Sequence, residues 1–321
     1  MTRTGARAAP RILLYHPDAA AYAALLAARV PGVDCVATAD EAEFRRELPE
    51  AEILAVYKFP VDALAAAAKL RWIQFASAGT EPIAPVRDRV SHLILTNGRG
   101  IHAAPIADYV MTAAVMLQSG FPTFFRNQQA RRWERRPVVA LAGRTLGVVG
   151  LGAIGQAIAR RAAASGMDVI GVRRSGAPLP DVGQVYAPER LAEFLPRCDF
   201  VVLAVPVTDA TRAMIGAREF AAMKPSAYLI NVARGAVVDE PALIAALAGG
   251  TIAGACLDVF AVEPLPPESP LWTMPNVIVT PHIAGMRDDY GAQFTAIFAD
   301  NLGRYARGEP MRNVVDPARG Y

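Results

Sequence analysis

The chain of 321 residues is long enough for two ordinary domains, each with its own core, and its 53% hydrophobic and 20% charged residues make disorder the exception. Lys and Arg number 33 and Asp and Glu 30, and the resulting net charge of +3 is too small over this length to predict binding to nucleic acid or to a membrane. Cys35, Cys198 and Cys256 form no C-x-x-C pair, so neither a metal site nor a disulfide framework is expected, and a reducing cytoplasm fits. Residues 1–10 read as a loose tail, and the apolar run after them is too short for a signal peptide or a membrane span.

From Arg11 to about Asn97, short β-branched or apolar runs alternate with alanine-rich helical stretches. The expected strands are Arg11–Tyr15, Val33–Ala37, Ile53–Tyr57, Trp72–Phe75 and Leu93–Thr96, and the expected helices are Asp18–Arg29, Asp40–Leu48 and Val61–Lys69. That rhythm means β-α-β units and a largely parallel sheet. A long helix follows from about His102, with Ile106, Val110, Ala113, Ala114 and Leu117 at helical spacing, and is read as a connection between domains that Gly120-Phe121-Pro122 interrupts.

A second alternating series begins at Thr145–Val149 and continues through Asp168–Val172, Phe200–Val205, Tyr228–Val232, Ile252–Asp258 and Val277–Thr280, which suits a doubly wound sheet. A last helix carries Tyr290, Phe294, Ile297, Phe298, Leu302 and Tyr305 on one face. Because the second series is complete without it, this helix is expected to return to the first domain. The expected fold class is therefore α/β, with two Rossmann-like doubly wound parallel-sheet domains. A discontinuous substrate domain spans residues 1–100 and 286–321, and a dinucleotide-binding domain spans 101–285.

Gly150-Leu151-Gly152-Ala153-Ile154-Gly155 is a G-x-G-x-x-G after an apolar strand and at the start of a helix. In that context the first glycine allows a tight turn, the second lets backbone approach a pyrophosphate, and the third lets helix and strand pack closely. About twenty residues further on, an acidic residue would bond the ribose of NAD, but the second strand ends in Arg173-Arg174-Ser175 and no carboxylate occurs from Val169 to Pro180. Two guanidinium groups and a hydroxyl suit a 2′-phosphate, so NADP(H) is the preferred cofactor and NAD(H) the alternative.

Arg234, Glu263 and His282 each follow an expected strand of the second series at its carboxyl end, where doubly wound sheets place ligands. A histidine with a carboxylate partner can act as an acid, and an arginine beside it can grip a substrate carboxylate, so the ordered trio points to reduction of a 2-keto acid. His16, His92 and His102 read as structural or surface residues.

Gly150-x-Gly152-x-x-Gly155, Asn231-Val232-Ala233-Arg234-Gly235, Asp258-Val259-Phe260-x-x-Glu263-Pro264 and Pro281-His282-Ile283-Ala284-Gly285 together resemble the signature set of the D-isomer-specific 2-hydroxyacid dehydrogenases. The resemblance spans nearly the whole chain. It implies that His282 is the acid/base, Glu263 its partner, and Arg234 the residue that holds the substrate carboxylate. It also implies a cofactor cleft between two domains that close by a hinge, and a homodimer built largely through the nucleotide domain. By the same resemblance Ser77, Ala78 and Gly79 form a substrate loop, with Tyr57 and Lys58 as further substrate contacts. Besides the glycine loop, Ala153 and Ile154 included, the cofactor positions it implies are Val205, Pro206, Val232, Ala233, Arg234, Asp258, His282, Ala284 and Gly285, with Asp258 as an acceptor for the carboxamide.

Arg173-Arg174-Ser175 and Tyr57-Lys58-Phe59-Pro60 are most similar to the glyoxylate and hydroxypyruvate reductases that use NADPH. A phosphoglycerate- or D-lactate-type dehydrogenase using NAD is the alternative within the family. A dinucleotide-sensing corepressor on the same scaffold is the alternative of another class. Trp133, in the basic arm of residues 131–136, is placed by analogy alone within reach of a neighbouring subunit.

Overall fold

The computed structural model describes residues 10–77, 79, 86 and 88–315, and the chain divides into two compact units, residues 1–101 with 287–321 and residues 102–286. In the first unit, β1 (Ile12–Tyr15), β2 (Cys35–Thr38), β3 (Ile53–Val56), β4 (Trp72–Phe75) and β5 (Ile94–Thr96) form one parallel sheet in the order β2-β1-β3-β4-β5. Strands covered on both faces need no polar alternation, which is why β1 and β3 read as continuous apolar runs and β4 departs from one only at Gln74. Leu13, Leu54, Ile73 and Phe75 enter one core with Phe44 and Leu48, while Ile12, Leu14, Ile53 and Trp72 enter the other with Tyr22 and Leu26.

Helix α1 (Ala19–Arg29) and helix α2 (Glu41–Glu47) connect the first three strands, and Asp40 caps α2 by accepting from the Glu43 amide at 2.7 Å. The stretch expected as a helix over 61–69 is a 3₁₀ segment, Val61–Ala66. Its turns close over three residues instead of four, the Ala63 amide donating to the Pro60 carbonyl and the Ala67 amide to the Leu64 carbonyl, each at 3.1 Å. The C-terminal helix, Tyr290–Arg307, lays Phe294, Phe298 and Leu302 into the same core as Trp72, whose ring meets that of Phe298 at 5.4 Å.

A buried polar cluster ties that helix to the sheet. Trp72 Nε1 donates to Thr96 Oγ1 at 2.7 Å, the Thr96 hydroxyl donates to Gln74 Oε1 at 2.7 Å, and Asn301 Nδ2 donates to the same oxygen at 3.2 Å. Gln74, Thr96 and Asn301 are wholly buried, so each needs the others to avoid an unpaired polar atom.

The second unit holds seven parallel strands: β6 (Thr145–Val149), β7 (Asp168–Val172), β8 (Gln184–Tyr186), β9 (Phe200–Leu203), β10 (Tyr228–Asn231), β11 (Gly254–Leu257) and β12 (Val277–Val279). Their order is β12-β11-β10-β9-β6-β7-β8, so the direction of winding reverses between β6 and β9. Ligands of open α/β sheets bind beyond the carboxyl ends of the strands at such a point. Strand β8 is absent from the sequence reading because three residues at a sheet edge carry no usable periodicity.

Helix α3 (Ala103–Ser119) packs Ile106, Val110, Ala113 and Leu117 against Ala157, Ile158 and Ala162. It is therefore part of the second unit's own layer rather than a bare connector. Gly120, at φ 76°, ends α3 in the left-handed region, and α4 (Phe121–Gln129) starts at once with a proline in its first turn. The remaining helices of this unit are α5 (Ala153–Ala164), α6 (Leu191–Phe194), α7 (Ala217–Ala222) and α8 (Glu240–Ala248). Among the described residues no helix is long and apolar enough to cross a membrane, and no group of three or more His, Cys, Asp or Glu residues could hold a metal ion.

Candidate active site

The carboxyl ends of β10, β11 and β12 carry the three candidate reactive residues, and the pairing of Asn231 with Leu257 and of Leu257 with Val279 brings those ends level. Arg234 follows β10, Glu263 follows β11 and His282 follows β12. Adjacent strands lie about 5 Å apart, so the three chain segments leave the sheet within about 10 Å of one another.

His282 Nδ1 and Glu263 Oε2 are 2.8 Å apart. A carboxylate only accepts, so Nδ1 carries the hydrogen and Nε2 is the nitrogen left for other chemistry. The other Glu263 oxygen, Oε1, accepts from the Phe260 amide at 3.0 Å, which fixes the carboxylate to its own turn. That turn is pressed against the segment after β10. A Cβ added to Gly235 would stand 1.9 Å from the Phe260 carbonyl carbon, so only glycine permits the approach. Arg234 Nη1 donates to the Ala233 carbonyl at 2.7 Å, and Asn231 braces the same loop by accepting from the Ala233 amide and donating to the Arg234 carbonyl.

His282 has φ 56°, an uncommon conformation for a residue with a side chain. The segment around it is held by Asp258, which is 2% exposed. Asp258 Oδ1 accepts from the Ile283 amide at 2.8 Å and from the Thr280 hydroxyl at 2.6 Å, while Oδ2 accepts from the Ala284 amide at 2.9 Å. The Asp258 carbonyl also accepts from the His282 amide at 2.9 Å. Three donors stabilise one buried charge, and Oδ2 keeps one acceptor direction for a ligand. The grip of Asp258 on the histidine loop joins residues 22 to 26 apart and has no local sequence signal, unlike the ligand contact expected of it.

The glycine loop opens at the end of β6 in the same sheet. Gly150 has φ 102°, and a Cβ on Gly155 would lie 2.0 Å from the Gly150 carbonyl oxygen, so helix α5 and the turn touch backbone to backbone. A Cβ on Gly152 would meet nothing within 4 Å. Open space at the second glycine, just before the N-terminus of α5, fits a pyrophosphate approached by backbone amides of Gly152, Ala153 and Ile154. Arg173, Arg174 and Ser175 follow β7, where Arg174 and Ser175 are exposed and the Arg173 amide donates to Tyr186 of β8 at 3.0 Å. Val205 and Pro206 follow β9, Val232 and Ala233 are buried after β10, and the Gly285 carbonyl lies 3.0 Å from His102 Nδ1. His102 thus packs against the end of the histidine loop.

In the first unit, the Ser77 hydroxyl donates to the Gly79 carbonyl at 2.8 Å, closing a turn after β4, and Ala78 lies outside the described residues. Tyr57 is 42% exposed, and the Lys58 ammonium stands 5.8 Å from its ring centre. These two line a hollow of about 260 Å³ with Tyr15, His16, Pro17 and Ala39 at the carboxyl ends of β1, β2 and β3. His16 stacks on Tyr22 at 4.4 Å, and burial lowers its pKa, Asp18 opposing the shift; His92 is exposed.

Residues 111–284 match the family model of the D-isomer specific 2-hydroxyacid dehydrogenases, NAD binding domain. The chain is 36% identical over 268 residues to a glyoxylate reductase of Korarchaeum cryptofilum, covering 80% of each protein. It is 33% identical over 291 residues to a D-3-phosphoglycerate dehydrogenase of Methanocaldococcus jannaschii, covering 85% of this chain and 53% of that one. Among solved structures, the NADPH-dependent glyoxylate/hydroxypyruvate reductase of Sinorhizobium meliloti in complex with NADP and sulfate superposes with a TM-score of 0.86. Its identity is 30%, with 98% of this chain and all of that one covered. A D-isomer specific 2-hydroxyacid dehydrogenase of Xanthobacter autotrophicus in complex with NADPH and MES gives 0.87 at 34% identity, covering 98% of this chain and 100% of that one.

Proposed function

The chain belongs to the D-isomer specific 2-hydroxyacid dehydrogenase family, and we propose that within it the protein reduces small 2-keto acids such as glyoxylate or hydroxypyruvate with NADPH. The observation that carries this reading is the 2.8 Å contact between His282 and Glu263 beside the Arg234 loop, at the carboxyl edge of the sheet that opens with the glycine turn.

In the proposed reaction Arg234 pairs with the substrate carboxylate and polarises the neighbouring carbonyl, as a planar donor fork suits. His282 gives a proton from Nε2 to the carbonyl oxygen as C2 gains hydride, which converts the carbonyl to an alcohol. Glu263 accepts from Nδ1–H throughout, so it holds the ring's orientation and offsets the charge of the protonated imidazole. Bound NADPH supplies the hydride from its nicotinamide ring. Gly152, Ala153, Ile154, Val205, Pro206, Val232, Ala233, Ala284 and Gly285 are assigned to hold it, and the free direction on Asp258 Oδ2 to receive its carboxamide. On the first unit, Tyr57, Lys58, Ser77 and Gly79 are assigned to the substrate.

The preference for NADPH rests on Arg173, Arg174 and Ser175 after β7, where a carboxylate would favour NADH. The relatives solved with NADP or NADPH support it. The reading includes a homodimer, for which the exposed Val115, Phe125, Trp133, Val138 and Val139 of the second unit offer apolar surface, and a cytoplasmic setting whose reduced NADPH pool drives the reaction toward the hydroxy acid. Lys58, a cation at the end of β3, favours one other reading, a phosphoglycerate-type dehydrogenase using NAD.

Loss of NADPH or NADH absorbance with glyoxylate, hydroxypyruvate, pyruvate, phenylpyruvate and phosphohydroxypyruvate tests the proposal. Turnover of the first two with NADPH is the expected result. Comparable kcat/KM with both cofactors overturns the cofactor preference, the phosphorylated acid as best substrate supports the other reading, and cofactor binding without turnover of any acid points to a sensing protein.

A further inference from the structure

The Asp258 carboxylate that grips the histidine loop is itself the end of a chain of side-chain hydrogen bonds that begins on α3. Tyr109 Oη lies 2.6 Å from Thr280 Oγ1 and 3.2 Å from Cys256 Sγ, and Thr280 Oγ1 lies 2.6 Å from Asp258 Oδ1. The direction of every bond follows from the last one. Asp258 has no hydrogen to give, so the single hydroxyl hydrogen of Thr280 goes to it. Tyr109 must then donate to Thr280, and the phenol oxygen accepts from the Cys256 thiol.

Both outer groups are held in the protonated form that this order requires. Burial, assisted by Cys256, pushes the Tyr109 phenol well above its ordinary range, and burial pushes the Cys256 thiol up to about 11 against the Tyr109 hydrogen bond. The bonds therefore run one way from a strand and a helix of the core to the charge under the histidine.

We infer that Tyr109, acting through Thr280 and Asp258, is a positioning residue for His282. Glu263 fixes the imidazole ring about its own bonds, whereas this second network fixes the backbone that carries the ring. The backbone needs fixing because a left-handed conformation at a side-chain-bearing residue is strained, and a loop released from Asp258 would relax from it. Two consecutive amides, Ile283 and Ala284, donate to one carboxylate whose orientation Thr280 sets and Tyr109 supports. Neither Tyr109 nor Thr280 follows from the sequence motifs, since Tyr109 lies 171 residues before its partner.

The inference rests on the role proposed for His282, and the experiment therefore reads the loop and the reaction separately. Amide hydrogen exchange at Ile283 and Ala284 is measured in the full chain for wild type, Tyr109→Phe, Thr280→Val and Thr280→Ser, together with kcat, keto-acid KM and NADPH Kd. Tyr109→Phe and Thr280→Val are expected to speed exchange at both amides and to lower kcat, each by about five- to tenfold, the equivalent of one hydrogen bond, with KM and Kd within about twofold. Thr280→Ser, which keeps the hydroxyl, is expected to restore both. Unchanged exchange in Tyr109→Phe and Thr280→Val overturns the relay, and faster exchange with unchanged kcat overturns the positioning role. Absence of turnover in wild type refutes the proposed reaction instead, and leaves the exchange result as the test of the relay.

Discussion

His282 and Glu263 meet at 2.8 Å although 19 residues and a whole strand connection separate them, and each is fixed by a different backbone: Glu263 by the Phe260 amide, His282 by Asp258. The pair is thus assembled from two loops of neighbouring strands, and either half can be removed alone. His282→Ala is expected to lower kcat by about 10²–10⁴-fold, the usual worth of a positioned proton donor. Glu263→Gln keeps the volume and the Phe260 bond but offers the ring a neutral partner, so its kcat is expected between those of wild type and His282→Ala. Fluorescence titration should give both variants a wild-type Kd for NADPH; turnover unaltered in His282→Ala would remove the histidine from the mechanism.

The glycine at 235 connects Arg234 to the same pair. With a Cβ 1.9 Å from the Phe260 carbonyl carbon, Gly235→Ala must push the Phe260–Glu263 turn away from the loop after β10. Overpacking of this kind costs about 1–3 kcal/mol, and here it also displaces the histidine's partner. A lowered thermal midpoint together with lowered kcat is expected, whereas a variant with a wild-type midpoint would show that the turn has somewhere to go.

Much of this arrangement is legible in the sequence, because it follows from short patterns repeated along the chain. The apolar runs at Ile12–Tyr15, Ile53–Val56, Thr145–Val149 and Phe200–Leu203 are readable as strands buried on both faces, and Arg234, Glu263 and His282 are readable because each closes such a run. What escapes is whatever depends on contact between distant segments. Strand β8 has only three residues and one neighbour, the 3₁₀ turn at Val61–Ala66 has helical composition without helical length, and the three donors on Asp258 come from another strand's loop. The Tyr109 hydroxyl is the extreme case, since on sequence alone it is one more residue on the semi-buried flank of a helix.

Within the glycine loop, two glycines are expected to fail in opposite ways. Gly155→Ala drives a methyl group to 2.0 Å from the Gly150 carbonyl oxygen, so the thermal midpoint should fall along with cofactor affinity. Gly152→Ala meets nothing of the protein within 4 Å and should leave the midpoint unchanged while weakening NADPH binding, because the methyl occupies the approach to the phosphates. Equal affinity for NADPH in Gly152→Ala and wild type would place the pyrophosphate elsewhere.

The arginine pair after β7 gives a prediction about choice rather than rate. Arg173→Ala with Arg174→Ala removes two charge-assisted donors, each worth about 1.5–3 kcal/mol when fully engaged, so kcat/KM with NADPH should drop by at least about tenfold. With NADH, which has no 2′-phosphate, it should change by no more than about twofold. The ratio of the two, measured on one keto acid, isolates the phosphate contact from any general damage; a parallel fall with both cofactors would mean that the arginines support the fold and not the choice.

Asp199 supplies a test of stability against pH that is independent of the reaction. Its Oδ2 accepts from the Thr145 amide at 2.9 Å and its Oδ1 from the Lys224 ammonium at 2.8 Å, so it fastens the start of β6 next to the start of β9. Burial opposes its ionisation, but the Lys224 bond and charge and the Thr145 amide together hold the carboxyl below its usual range. A carboxyl depressed in the folded chain contributes stability above its unfolded value of about 3.9, and that contribution disappears as pH falls toward the folded value. Asp199→Asn keeps an acceptor for Thr145 and loses the charge opposite Lys224. For a part-exposed pair this is worth about 1 kcal/mol at neutral pH, or about 2–4 °C in the midpoint of a unit this size. The gap between wild type and variant should stay constant from neutral pH down to about 5 and close below about 4. A gap that persists at the acid end would mean that packing around Asp199, and not its charge, is what the substitution disturbs.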